Sequence, residues 1–139
     1  ALQRGFAKAG KRREDFEISY PMFVVTGTTE EDMLAAKQAT CQQIAFYGST
    51  PAYKPVLESV GAGDLQGDLN AMSKQGRWKE MGELITPDLL QEFAIVGEPQ
   101  TLAESISARY GDIVDRTSAA YAHIGKADRA SIIERLSAV

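Results

Sequence analysis

The chain contains one cysteine, Cys41, and one histidine, His123. A single thiol excludes an internal disulfide, and with no second histidine and no cysteine pair a zinc site of ordinary composition is excluded as well, so no metal is expected. A Ser-His-Asp relay would have to use His123, and no Gly-x-Ser-x-Gly sequence presents a serine for it. His123 reads instead as a surface residue after the last strand. No Walker loop occurs and no Gly-x-Gly-x-x-Gly follows a strand; Gly61-Ala62-Gly63-Asp64 comes after a helix and reads as a helix–helix turn. No apolar run approaches the ~18 residues of a membrane span, and the first residues lack a signal-peptide apolar core. The cytoplasm is therefore the expected compartment. Fifteen basic against nineteen acidic residues leave a net charge of −4, which gives no general attraction to nucleic acid or anionic lipid. Lys8, Lys11, Arg12 and Arg13 are followed at once by Glu14 and Asp15, as on a solvated helix end.

What is present is a chain of 139 residues, 44% hydrophobic, enough for one globular domain. Leu2, Phe6 and Ala9 share one face of a helix that begins mid-pattern and stops at Gly10. Residues 16–26 alternate and then turn continuously apolar, the pattern of a strand covered on both faces, with Pro21 confined to a bulge or an unpaired position. Thr29 and Asp32 resemble a capping box ahead of a helix over about 30–46, which places Cys41 among Met33, Leu34, Ile44 and Ala45 as a buried thiol. From 50 to 92 short helical runs are divided by Gly61–Gly63, Gly76 and Thr86-Pro87, so this stretch reads as a helical insertion between strands. A second strand follows at 93–96. Leu102, Ala103 and Ile106 then mark a helix closed by Gly111, residues 112–121 a third strand, and Asp128 the cap of a last helix carrying Ile132, Ile133 and Leu136. This alternation points to an α/β fold whose three strands are mutually parallel and adjacent, with crossover helices on one outer face.

Two joints carry a strand into a helix N-terminus: Thr26-Gly27-Thr28-Thr29 and Gly97-Glu98-Pro99-Gln100. Free N–H groups and the helix dipole favour an anion such as phosphate there, although ordinary capping is the competing reading, since every such joint needs a cap. Tyr47, Tyr53 and Trp78 carry apolar rings with polar handles, a composition equally suited to packing between helices. Arg77-Trp78-Lys79 reads either as the edge of a lid or as a pin holding the insertion down.

The run from Gln43 to Glu58, with its Tyr47-Gly48-Ser49-Thr50-Pro51 turn, together with Phe93-Ala94-Ile95-Val96-Gly97-Glu98-Pro99 and Tyr110-Gly111-Asp112-Ile113-Val114-Asp115-Arg116, resembles the C-terminal part of luciferase-like oxidoreductases, most closely their coenzyme F-420-dependent branch. The likeness runs from about Gly5 to Tyr121. It implies a C-terminal segment, about three βα units with a helical insertion, of a TIM-type (β/α)8 barrel, with residues 16–26, 93–96 and 113–121 as the sixth, seventh and eighth strands. On that reading residues 1–139 form a single partial-barrel domain of a parent enzyme that uses F-420, or alternatively FMN, to oxidise or reduce a small organic substrate. The segment alone is expected to be inactive and to bind no cofactor. Thr26, Gly27 and Gly97 would contribute to the cofactor mouth, and Tyr47, Gly48, Ser49, Thr50 and Tyr53 to the substrate cleft; the resemblance assigns no catalytic residue. The expected partner is another copy of the chain, or the missing N-terminal part of the barrel. A small α/β interaction module that oligomerises through open sheet edges is the reading of a different class.

Overall fold

The computed structural model describes residues 2–119 and 124–137. Tyr121 and His123 lie outside them. The elements run α1 (Leu2–Ala9), β1 (Ser19–Pro21), β2 (Phe23–Val25), α2 (Glu30–Gly48), α3 (Lys54–Ser59), α4 (Leu65–Lys74), α5 (Trp78–Glu83), α6 (Pro87–Phe93), β3 (Ala94–Val96), α7 (Leu102–Tyr110), β4 (Arg116–Ser118) and α8 (Lys126–Ser137).

β1 and β2 are one extended segment interrupted only at Met22, and everything else is arranged around it. β1 pairs in parallel with β4, Tyr20 opposite Thr117, and β2 pairs in parallel with β3, Val24 opposite Ile95. Ile18 and Met22 turn their backbone groups toward β4, accepting from Arg116 N and donating to Ser118 O, whereas the Val25 carbonyl accepts from Gly97 N. This odd–even alternation puts the two partners on opposite edges, in the order β4, β1/β2, β3. Pro21 falls on an odd position, where its missing N–H faces an edge that β3 has not yet reached.

The side chains alternate in step. Phe23 and Val25, with Ala94, pack into a core with Ala36, Cys41, Ile44 and Ala45 of α2 and, beyond it, Leu57, Leu69, Met81 and Leu90. Met22 and Val24, with Ile95, pack into a second core with Leu102 and Ile106 of α7 and Ile132 of α8. Of the expectation from sequence, three mutually parallel and adjacent strands with helices on one outer face, the parallel pairing to the central segment holds, and two points need correction. Residues 94–96 and 116–118 do not pair with one another, and helices cover both faces. The cause is the direction of travel. A right-handed connection from β2 to β3 places α2 on one face; the return from β3 past the central strand to β4 moves the other way and must place α7 on the opposite face. For the same reason the sixth, seventh and eighth positions do not fit these three segments, because consecutive barrel strands would put 94–96 in the middle.

Element ends follow local chemistry. At α2, Thr29 Oγ1 accepts from Asp32 N at 3.1 Å and the Asp32 carboxylate accepts from Thr29 N at 3.2 Å, the capping box read from sequence. Thr86 Oγ1 accepts from Leu89 N, with Pro87 at the first position of α6. Gly10 and Gly61 adopt φ of 62° and 75°, which a side chain would resist. Two boundaries differ from expectation. Ile113 and Val114 are not in the last strand but in a turn, both of their N–H groups donating to the Tyr110 carbonyl, and Ile113 is exposed. Asp128 does not cap α8, which starts at Lys126; its carboxylate accepts instead from Thr28 Oγ1 at 3.2 Å. Arg109 of α7 donates to the Gln91 and Glu92 carbonyls at the end of α6, and Arg135 ties α8 to Glu104 of α7.

Asp115 fastens the entry to the sheet. Its Oδ2 accepts from Ile18 N and from Arg13 Nη2, each at 2.7 Å, and the Ile18 bond first, then the guanidinium, holds its carboxyl below the usual carboxylate range. A carboxyl depressed in the folded state stabilises it above the unfolded value, about 3.9, and loses that contribution as pH falls through the lower folded value. Asp115→Asn should therefore lower stability at neutral pH and flatten its fall on the acid side, measured by denaturant midpoints at pH 7 and about pH 3. Burial raises the Cys41 thiol above its ordinary value. In the native protein it should react with a maleimide at least about tenfold more slowly than in denaturant.

Candidate functional site

The C-terminal ends of β2 and β3 finish side by side, so the two strand-to-helix joints singled out in the sequence meet. Between them is a crevice of about 550 Å³ bordered by Gly27, Thr29, Glu30 and Lys37 on one side and Glu98 and Gln100 on the other. Thr26 is 3% exposed, and its Oγ1 has no hydrogen-bond partner among the described residues. Gly27 has a packing reason for its identity: a Cβ there would lie 2.3 Å from Met33 N, against the first turn of α2. Gly97 is less constrained, its nearest neighbour in such a construction being Thr101 Oγ1 at 3.6 Å.

The donors in this crevice do not fit a phosphate. The first turn of α2 carries Glu30, Glu31 and Asp32, which already complement the helix dipole, and the capping box occupies the N–H groups of Thr29 and Asp32. Lys37 faces Glu30 and Glu98 as the one cation in the lining. F-420 and FMN are both phosphorylated, and this rim offers their phosphates no cluster of positive charge.

Tyr47, Gly48 and Tyr53 come together somewhere else. α2 runs antiparallel to β2, so its 19 residues carry the chain roughly 28 Å back along the strand to the N-terminal ends of β2 and β3. There they border a cavity of about 750 Å³ with Phe23, Ile44 and Phe93. Tyr47 is the hub of its rings, 6.3 Å from Phe23 and 5.7 Å from both Phe46 and Tyr53, measured between centroids. Ser49 and Thr50 do not line it. Ser49 is buried, its hydroxyl donating to Phe46 O and its carbonyl accepting from Asn70 Nδ2 at 2.9 Å, which fastens α2 to α4. Thr50 is exposed and supplies the carbonyl that accepts from Tyr53 N. Gln43, one turn before Tyr47, was within reach of a helical-spacing argument; Phe93, brought in from another element, had no such signal. Trp78 packs on Phe46 at 5.9 Å and Arg77 pairs with Glu80, the arrangement of a pin.

The luciferase-like monooxygenase family matches residues 1–116. The chain belongs to that family. It is also similar to uncharacterized proteins of Mycobacterium bovis and of two strains of Mycobacterium tuberculosis, each 47% identical over 116 residues, covering 84% of this chain. The chain spans about a third of the length of these relatives, 34%. Luciferase-like proteins are TIM barrels, and barrels of this type use the C-terminal ends of their strands for chemistry. In this chain the 26–30 and 97–100 joints stand at the C-terminal ends of β2 and β3, and the Tyr47–Tyr53 cavity at their N-terminal ends. No cluster of three or more His, Cys, Asp or Glu side chains suited to a metal occurs among the described residues. No described helix is long and apolar enough to cross a membrane.

The two glycines of this crevice should respond differently to a methyl group. Gly27→Ala should destabilise the protein by about 1–3 kcal/mol through overpacking. Gly97→Ala should stay within about 0.5 kcal/mol of wild type in the same denaturant titration.

Proposed function

We propose that this chain is the C-terminal part of a luciferase-like oxidoreductase, F-420-dependent or alternatively FMN-dependent, that transfers hydride to or oxygenates a small organic substrate. The observation that carries this reading is the meeting of the two joints, residues 26–30 and 97–100, at the C-terminal ends of adjacent parallel strands in a chain of this family. The chain's share of the work is to shape one side of the mouth. Its Glu30, Lys37 and Glu98 side chains present polar groups there, while Thr26 stays buried beneath the crevice and the phosphate grip and the redox group come from the rest of the parent polypeptide. The outer edges of β3 and β4 carry no further strand among the described residues, and open edges recruit another chain, either the rest of the barrel or a second copy.

Titration of this chain with FMN and with F-420, followed by cofactor fluorescence, should show no binding at micromolar concentration, whereas a polypeptide of the relatives' full length should bind one of them. Sedimentation should find the chain associated. A monodisperse monomer that binds either cofactor at micromolar concentration would sink the reading.

A further inference from the structure

The cavity at the N-terminal ends of β2 and β3 has the build of a ligand site. Its floor is Gly48 between buried Ile44 and Leu57, and its rim is Tyr47 and Tyr53, whose rings meet edge to face. A Cβ on Gly48 would come within 3.0 Å of Leu69 and 3.4 Å of Leu57, so glycine lets α2 pack closely on α4 and α3 beneath the floor. Phe23 and Phe93 close the sheet side. In a chain that is 24% charged, no Asp, Glu, Lys, Arg or His among the described residues lines the space. Its volume, about 750 Å³, falls within the range of small-molecule sites, roughly 300–1,000 Å³.

We infer that this cavity binds a neutral, flat, ring-bearing small molecule held by aromatic packing. An ion entering it would lose its hydration with no counter-charge in the walls to replace it. A polypeptide segment would bring backbone N–H and C=O groups that these mostly apolar walls cannot satisfy. A ring brings neither burden, and the faces of Tyr47, Tyr53, Phe23 and Phe93 supply the edge and stacking contacts that rings prefer. This binding goes beyond the proposed oxidoreductase function, because it lies at the far end of α2 from the crevice of the two joints.

The test is a fluorescence titration of the chain with N-phenyl-naphthylamine, an uncharged three-ring dye, beside its sulfonated analogue anilinonaphthalene sulfonate. The neutral dye should saturate at one per chain, and the sulfonate should bind at least about tenfold more weakly. Val56→Trp, which fills the cavity from an exposed wall position, should weaken the neutral dye about tenfold with the thermal midpoint unchanged. Tyr53→Ala, which opens the rim, should weaken it severalfold. Sulfonate binding as tight as that of the neutral dye, the behaviour of loosely packed apolar surface, would overturn the inference. So would the absence of saturable binding by the folded protein, or binding unchanged in both variants. Neither cofactor nor turnover enters the measurement, so its failure leaves the oxidoreductase reading standing.

Discussion

Residues 19–25 answer to four neighbours at once, and the register of this one segment fixes the rest. Along its backbone, alternate residues turn their hydrogen-bonding groups to β4 and to β3; from Met22 to Val25, alternate side chains enter the α7–α8 core and the α2 core. A slip by one residue would exchange these partners together, taking Phe23 and Val25 out of the α2 core and Met22 and Val24 out of the α7–α8 core. The helices are accordingly not free to choose a face: each is placed by which edge of the central segment its strand has reached.

That geometry sorts the chemistry by position. What the chain brings to the C-terminal ends of β2 and β3 carries charge, on balance acidic, with Glu30 and Glu98 against Lys37 among Met33, Leu34 and Pro99. What it brings to the N-terminal ends of β2 and β3 is, among the described residues, aromatic and uncharged. One long helix links the two, and its first turn, closed by the Thr29–Asp32 box, is as polar as its last is aromatic. Membership in the luciferase-like family says which end hosts chemistry in such barrels; the distribution of charge says how little of a phosphorylated cofactor's grip these residues supply.

Features set by neighbours in sequence were legible before any coordinates. The Thr29–Asp32 and Thr86–Pro87 helix starts, the glycine turns at Gly10 and Gly61 and the burial of Cys41 all depend on residues within one or two helical turns. The strand at 16–26 was visible too, though only 19–25 are paired. Strand order was not, because nothing local in Ile95 or Thr117 records which edge of the central segment it will occupy. The last strand was overextended for a related reason: Ile113 and Val114 have strand composition, but the Tyr110 carbonyl captures both of their N–H groups and holds them in a turn. Tyr47 and Tyr53 do border one cavity, whereas Ser49 does not line it, because the bonds that engage Ser49 come from Gln66 and Asn70 some twenty residues away.

Pro21 sits at the level where the sheet forks. Below it β4 lies along one edge of the central segment; above it β3 joins the other edge, starting only at Ala94 opposite Phe23. Because proline has no N–H to offer, another rung of β3 alongside Pro21 would find no donor, and the chain there is still coiled in α6, ending at Phe93. The sheet thus parts like an opened zip, and the wedge left between Pro21, Phe23 and Phe93 becomes one wall of the aromatic cavity. A void that could be credited to large side chains begins, on this view, with a single absent hydrogen.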